Sequence, residues 1–333
     1  QTCALPILYI DDRWGKTGGI GTFSEELNKI TQYESAGFKG APFSPLDTFK
    51  TSAKLIKKTK GLYFFPGYIP PLISRCPFVF TIHDLNHLDR PENSNLFKRF
   101  FYNTVILRGC RKASFVFTVS EFSKERIIEW SGIDADKVIN VGNGVSDIFT
   151  RHGDVKKFDF DYFLCVGNRK THKNDIRVLE AFSKAKISKN MKMIFTGASN
   201  TIIDNKIKEL NISNRVVFTG YINTSDLPAL YRGAKALVFA SLYEGFGLPV
   251  IEAMACGTPV ITSNTTSLGE VANNSALLVN PESVSEITSA MEVIVKDEEK
   301  RNELIISGSE RAKCFTWTNV AQKVSKALSS LIN

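Results

Sequence analysis

The stretch EGFGLPVIE, residues 244–252, places two carboxylates, Glu244 and Glu252, around a Gly-Phe-Gly turn. Gly245 and Gly247 lack a Cβ and let backbone N–H groups come close to a ligand. Pro249 suits the first turn of a helix, where its missing N–H costs nothing. The apolar run ALVFAS, residues 236–241, comes just before. Strand, glycine turn and helix start, in that order, present free amides and a positive helix end to an anion. An acid beside such a turn fits a ligand with both hydroxyls and phosphates, such as a sugar nucleotide. Alone, Glu244 would read as a helix cap and Glu252 as a solvated residue. The glycines, the strand and the second acid together favour the ligand.

Other constellations follow predicted strands. In TIHDL (81–85), His83 and Asp84 stand at a strand end, where His83 can meet a sugar hydroxyl or a leaving phosphate. His87 lies four residues on, but the helix that would bring these groups together around a metal is not evident, so no metal site is expected. In VGNRKTHKN (166–174), Arg169, Lys170 and Lys173 put cations where a pyrophosphate would sit, and charge-assisted bonds to phosphate are the strong kind. In GGIGTF (18–23), before a helix starting at EELNKI, Gly19 and Gly21 permit close backbone approach to a phosphate or sugar, or else form a structural turn. It lacks the third glycine and the ribose-binding acid of a dinucleotide fold, which counts against NAD. Ser120 in VSEFSKE reads as a helix cap. Gly142 and Gly144 read as a tight turn. NTTSLGEV (264–271) reads as a polar loop with Glu270 near its end.

These segments need strands to carry them. Apolar runs at 6–10, 62–65, 78–82, 115–119 and 138–141 alternate with helical stretches, and so do runs at 162–166, 191–195, 215–218, 236–240, 259–262 and 276–279. Continuous apolar strands between amphipathic helices indicate parallel sheets covered on both faces. The expected fold is α/β, with two doubly wound Rossmann-like domains, residues 1–150 and 151–315, and a linker near 149–160. The run 316–333 reads as a closing helix that packs back on the first domain. Ligands of open parallel sheets bind beyond the carboxyl ends of the strands, which points to a cleft between the two domains.

The chain has 333 residues, 43% hydrophobic, enough for two cores. No apolar run reaches the ~20 residues that span a bilayer. No secretory signal pattern opens the chain, and its first residue, Gln1, suggests a truncated or altered start. The six cysteines are scattered without metal-site spacing. Most read as core thiols, which fits a cytoplasmic location. Net charge is +8, with 20 basic against 15 acidic residues in 1–153 and 22 against 19 in the remainder. Clusters at Lys54, Lys57, Lys58 and Lys60, and at Arg108, Arg111 and Lys112, fit either a solvated basic face or peripheral, salt-sensitive contact with an anionic membrane surface. Nothing resembles a nucleic-acid-binding module.

The pieces in this order resemble the retaining glycosyltransferases of family four, over nearly the whole chain. EGFGLPVIEAMACGTPVITSN resembles that family's twin-glutamate signature, and TIHDL, VSEFSK, VGNRKTHKN and FTGYI (218–222) match in order and spacing. The resemblance implies the GT-B fold and transfer of a hexose from a nucleotide-diphosphate sugar to a glycan or lipid-linked acceptor. It leans to GDP-mannose, with a UDP-sugar as the other donor, and implies no metal or other cofactor. It gives Glu244 the donor sugar's hydroxyls, with amides around Phe246, Gly247 and Leu248 nearby. Glu252 would take the ribose, and Lys173, with Arg169 as a second cation, the diphosphate. Gly19 and Gly21 would form a loop over the diphosphate or acceptor, His83 would touch the transferred sugar, and Tyr221 and Ile222 would lie near the base. One departure stands out: Asn168 follows Gly167 where many relatives carry Arg. Competing readings are a sugar-nucleotide epimerase on the same fold and a non-catalytic sugar-nucleotide-binding subunit.

Overall fold

The structure is a computed structural model describing residues 8–15 and 18–332. Cys3 and the first two residues of the 6–10 run lie outside the described residues. The chain divides into two compact units. The first comprises residues up to Gly144 together with Thr316 onwards; the second is Val145–Phe315. The division thus falls after Gly144, ahead of the expected linker at 149–160.

The first unit holds six parallel strands: β1 (Leu8–Ile10), β2 (Glu34–Ser35), β3 (Leu62–Phe65), β4 (Phe78–Thr81), β5 (Phe115–Thr118) and β6 (Val138–Asn140). Their order in the sheet is β2-β1-β3-β4-β5-β6. The short β2 was not foreseen. Two polar residues on a sheet edge carry no apolar signal, and only pairing with Tyr9 and Ile10 defines the strand. The central strands are buried on both faces, which is why LYFF and FVFT read as unbroken apolar runs. Phe38, Tyr63, Phe65, Phe78 and Phe80 form much of this core.

The second unit holds β7 (Tyr162–Cys165), β8 (Lys192–Phe195), β9 (Val216–Phe218), β10 (Ala236–Phe239), β11 (Val260–Ser263) and β12 (Leu277–Val279). Their order is β12-β11-β10-β7-β8-β9, all parallel. From β7 the chain winds outward to β9, then returns to β10 on the other side of β7. The order therefore reverses between β7 and β10. A crevice outside the carboxyl ends of the strands at such a reversal is where open α/β sheets bind ligands.

Helix boundaries follow local chemistry. Ser120 accepts from the Ser123 amide at 3.1 Å and caps the helix Glu121–Ser131. That helix ends at Gly132, whose φ of 64° is left-handed. The closing helix Trp317–Ser329 belongs to the first unit, where Trp317 meets the edge of Phe23 and Ser325 hydrogen-bonds Tyr33 at 2.9 Å. Gly144 makes room for this helix, because a Cβ there would lie 2.5 Å from the Trp317 amide nitrogen.

Two expected loops are helical. Gly19 and Gly21 lie in the first turn of the helix Gly18–Thr31, so no glycine loop forms from them. Phe23, Ser24 and Leu27 are buried along with Gly21. Burying Phe and Leu contributes more than the ~1 kcal/mol that a helical glycine costs. Likewise NTTSLGEV enters the helix Thr266–Ala272, driven by burial of Leu268, Val271 and Ala272 at helical spacing. Four cysteines, Cys76, Cys110, Cys165 and Cys256, are buried thiols, and Cys314 is exposed. Among the described residues, no helix is long and apolar enough to cross a membrane.

Candidate active site

The loops after β7 and β10 flank the strand-order reversal of the second unit, and each supplies a charge. Lys173 ends the short 3-10 turn Thr171–Lys173. Its Nζ donates to Glu244 Oε1 at 2.6 Å, with both side chains mostly buried. The ammonium also lies 4.9 Å from the ring centroid of Phe239, at the end of β10. The two loops are pinned further. The Leu242 amide donates to the His172 carbonyl at 2.7 Å. The buried Asn174, at φ 64°, donates to the carbonyls of Ala240 and Pro281. Asn tolerates that left-handed backbone better than most residues. Lys173 and Glu244 are therefore held by rigid neighbours on both sides.

The glycine turn does what its composition suggests. Gly247 sits at φ 100° and precedes the helix Leu248–Ala255, with Pro249 in its first turn. A Cβ at Gly247 would run into the Leu268 side chain. Phe246 is buried against the edge of Phe315, and Ser267 donates to the Glu244 carbonyl at 2.9 Å. The helix end offers fewer free amides than the sequence suggests. Pro249 has none, and the Val250 amide already donates to the Gly247 carbonyl at 2.9 Å. Leu248 is left as the amide the first turn can offer.

Glu252 faces into the second unit, where Tyr231 donates to its Oε2 at 2.8 Å. Burial pushes its carboxyl up to about 7, against the opposing pull of the Tyr231 hydroxyl. Such a carboxylate is short of donors, and vicinal ribose hydroxyls would supply them.

Arg169 is held by partners within its own loop and the helix that follows. Its guanidinium turns inward, 6% exposed, with Nη1 3.2 Å from Asp175 Oδ2 and Nη2 donating to the Gly167 carbonyl. It stacks 4.6 Å from the Phe195 ring. The backbone at Arg169 is left-handed, at φ 59°, and that conformation directs the side chain under the loop. Lys170 is exposed.

Tyr221 is 88% exposed on the loop after β9, and Ile222 is half-buried beside it. The Gly197 amide donates to the Gly220 carbonyl at 2.8 Å and joins the loops after β8 and β9. β9 lies two strands, about 10 Å, from β7.

In the first unit, His83 Nε2 lies 2.9 Å from the Pro66 carbonyl oxygen, and its ring meets Phe23 edge-on. A carbonyl only accepts, so Nε2 carries the proton and Nδ1 is the acceptor. Burial lowers the imidazole to about 4, so it is neutral at pH 7. Phe23 lies on the helix that contains Gly19 and Gly21, and through Phe23 that helix packs against His83. His87 instead bonds the Asn93 carbonyl through Nδ1 at 2.7 Å. Among the described residues, no group of three or more His, Cys, Asp or Glu is placed to hold a metal ion.

Sequence reasoning missed Tyr231, Asn174 and Ser267. Asn174, after a loop and before a helix, carries the one local signal of the three. Tyr231 lies 21 residues before Glu252, and nothing near it in sequence announces the contact.

Comparison with known proteins bears on the family and the fold. The model of the group 1 glycosyl transferases matches residues 150–311, and that of Glycosyltransferase Family 4 matches residues 60–147. Escherichia coli O-antigen chain mannosyltransferase B is 28% identical over 273 residues, covering 78% of this chain and 71% of that protein. O-antigen chain mannosyltransferase RfbU of Salmonella typhimurium is 30% identical, covering 64% of this chain and 60% of its own length. Against the serotype-specific mannosyltransferase WbdA of Escherichia coli, the chain spans only 31% of the relative's length. Among solved structures, Anabaena HepE in complex with UDP and glucose superposes with a TM-score of 0.78 at 19% identity, covering 98% of this chain and all of that one. Sucrose-phosphate synthase of Thermosynechococcus elongatus gives 0.72 at 23% identity, covering 86% and 77%. The two matched models follow one another from residue 60 to 311, and the chain belongs to the group 1, family 4 glycosyltransferases, with their GT-B type of α/β fold.

Proposed function

We propose that the chain transfers a hexose, with retention of anomeric configuration, from a nucleotide-diphosphate sugar to a hydroxyl of a glycan or lipid-linked acceptor. GDP-mannose is the favoured donor, because several relatives are named mannosyltransferases; a UDP-sugar is the second. The observation that carries the reading is the Lys173–Glu244 pair at the strand-order reversal, 2.6 Å apart. Without donor, Glu244 neutralises Lys173. When a diphosphate enters, its oxygens compete for the ammonium, and Glu244 is released to accept from the sugar hydroxyls.

Each group then has one task. Lys173 and the Leu248 amide stabilise the charge that grows on the departing diphosphate. Glu244 orients the sugar. Glu252 accepts from the ribose hydroxyls, and Tyr221 with Ile222 flanks the base. His83, neutral, offers Nδ1 to a sugar hydroxyl. The bond from the anomeric carbon to the diphosphate oxygen breaks, the acceptor oxygen bonds to that carbon from the same face, and the departing diphosphate takes the acceptor's proton. Arg169 supports the loop from beneath. Gly21, buried, lets its helix pack close, while Gly19 in the same first turn is exposed. Lys173 supplies the diphosphate's counter-charge, so we expect no divalent metal to be required. The acceptor reading places the protein at the cytoplasmic face of a membrane, as a peripheral protein.

The test is transfer of labelled mannose from GDP-mannose to an acceptor glycan, with the anomeric configuration of the product read by NMR. An epimerase would convert the donor with no acceptor, and a binding subunit would bind GDP without turnover. Either result, or an inverted product, would overturn the reading.

A further inference from the structure

We propose that the outward face of residues 96–112 docks the first unit on an anionic lipid surface. This stretch is one helical rod: Leu96–Phe101 is α-helical, Tyr102–Ile106 is a π-turn, and Leu107–Lys112 is α-helical again. Its inner side is clear, because Tyr102, Ile106 and Cys110 are buried in the first unit's core. Its outer side is not that of a solvated helix. Leu96, Phe97 and Phe100 are 88%, 62% and 67% exposed. A helix facing water carries polar residues on that side. Large apolar side chains grouped on a surface mark a site of interaction.

Charge complementarity selects the occupant. Residues 93–120 contain five Lys or Arg (Lys98, Arg99, Arg108, Arg111, Lys112) and no Asp or Glu. Two of these cations stand between the exposed apolar residues, and the others follow along the same rod. Aromatic and aliphatic side chains among unopposed cations are the composition of a helix lying in a lipid headgroup layer. Arg108 also donates to the Leu72 carbonyl at 3.3 Å, beside Ile73, itself exposed, so the apolar surface continues onto a second loop. The net positive lean of the first 153 residues supplies longer-range attraction to the same surface. This deepens the peripheral association proposed above, but its test needs neither donor nor acceptor.

The experiment is co-sedimentation of the full chain with phosphatidylcholine vesicles, with and without phosphatidylglycerol, at low and high salt. Wild type is expected to bind the anionic vesicles alone, and less in high salt. Phe97→Ser with Phe100→Ser should weaken binding about tenfold or more. Arg99→Gln with Arg111→Gln should weaken it about fivefold per residue. Melting temperature and GDP affinity should stay at wild-type values in both variants. The proposal is overturned if wild type binds neither vesicle, if it binds neutral vesicles equally, or if the variants bind as wild type does. Self-association of wild type that the Phe variant abolishes would also overturn it, by assigning the face to a second copy. Failure of the donor reading would appear separately, as wild type that does not bind GDP.

Discussion

Replacing Glu252 with Gln separates a buried charge from a ligand contact. The folded carboxyl holds its proton up to about pH 7, whereas an ordinary carboxyl loses it near 4.5. Between those values the folded state binds more protons than the unfolded state, so Glu252 makes stability fall as pH rises through this window. The displacement from 4.5 to about 7 corresponds to about 3 kcal/mol at full ionisation. Glu252→Gln keeps an oxygen for the Tyr231 hydroxyl and removes the charge. The melting temperature of the variant relative to wild type should therefore rise between pH 5 and pH 8 by several degrees, at roughly 2–4 °C per kcal/mol. Nucleotide binding should move the other way. If ribose hydroxyls donate to the carboxylate, the variant loses a charged hydrogen bond of about 1.5–3 kcal/mol, roughly 10- to 150-fold in GDP affinity. Binding would also favour the ionised carboxylate, so wild-type affinity should rise with pH towards 8 and release a proton. The variant, titrated alongside, removes the contribution of the nucleotide's own phosphate. Calorimetric titration of GDP in two buffers of different ionisation enthalpy measures both quantities. Equal affinity and equal proton release in the two folded proteins would refute the ribose contact. A melting difference that does not change with pH would refute the buried charge.

Four further outcomes follow from the same geometry. Glu244→Gln should lower kcat by at least tenfold while GDP affinity holds or rises modestly, because the nucleotide and phosphate contacts remain and Lys173 loses its competing carboxylate; near-normal kcat per folded molecule would leave Glu244 as a structural residue. Arg169→Met should destabilise the protein by about 3 kcal/mol, read as melting temperature, because it strands Asp175 in a buried place. Its GDP affinity should stay within a few-fold of wild type, and a loss as large as that of a Lys173 variant would return Arg169 to the diphosphate. The His83 imidazole, followed by NMR, should remain neutral down to about pH 4, with the proton on Nε2; titration near 6.5 would contradict its burial. Turnover should continue in EDTA, and complete loss restored by Mg²⁺ or Mn²⁺ would show that a metal shares the work given to Lys173.

The strands were legible because buried parallel strands must be apolar on both faces, and all eleven apolar runs contain a strand. What escaped was whatever tertiary contact alone defines. Glu34 and Ser35 form a strand only by pairing with β1. Gly19 and Gly21 looked like a turn because glycine disfavours helix, yet Phe23 and Leu27 draw the helix back to Gly18. At the site, the residue types of Glu244, Lys173 and Glu252 were readable from their place after strands. Their partners were not, since the pair 173–244 is fixed by β7 lying beside β10, and 231–252 by the contact of the helix Leu227–Gly233 with Leu248–Ala255. Arg169 shows the limit most plainly: a cation in a phosphate-like loop pointed inward once its backbone took a left-handed turn.

The central claim is that the strand-order reversal between β7 and β10 is where the donor's diphosphate binds, with Lys173 as its cation. The direct measurement is the dissociation constant of GDP for wild type and for Lys173→Met, by calorimetry, on protein whose melting transition shows it folded. Loss of a charge-assisted bond to phosphate predicts weaker binding by about 1.5–3 kcal/mol, at least tenfold. The same titration with guanosine, which has no phosphate, should give equal values for the two proteins. Equal GDP affinity in wild type and variant would contradict the claim and leave the Lys173–Glu244 pair as a structural ion pair.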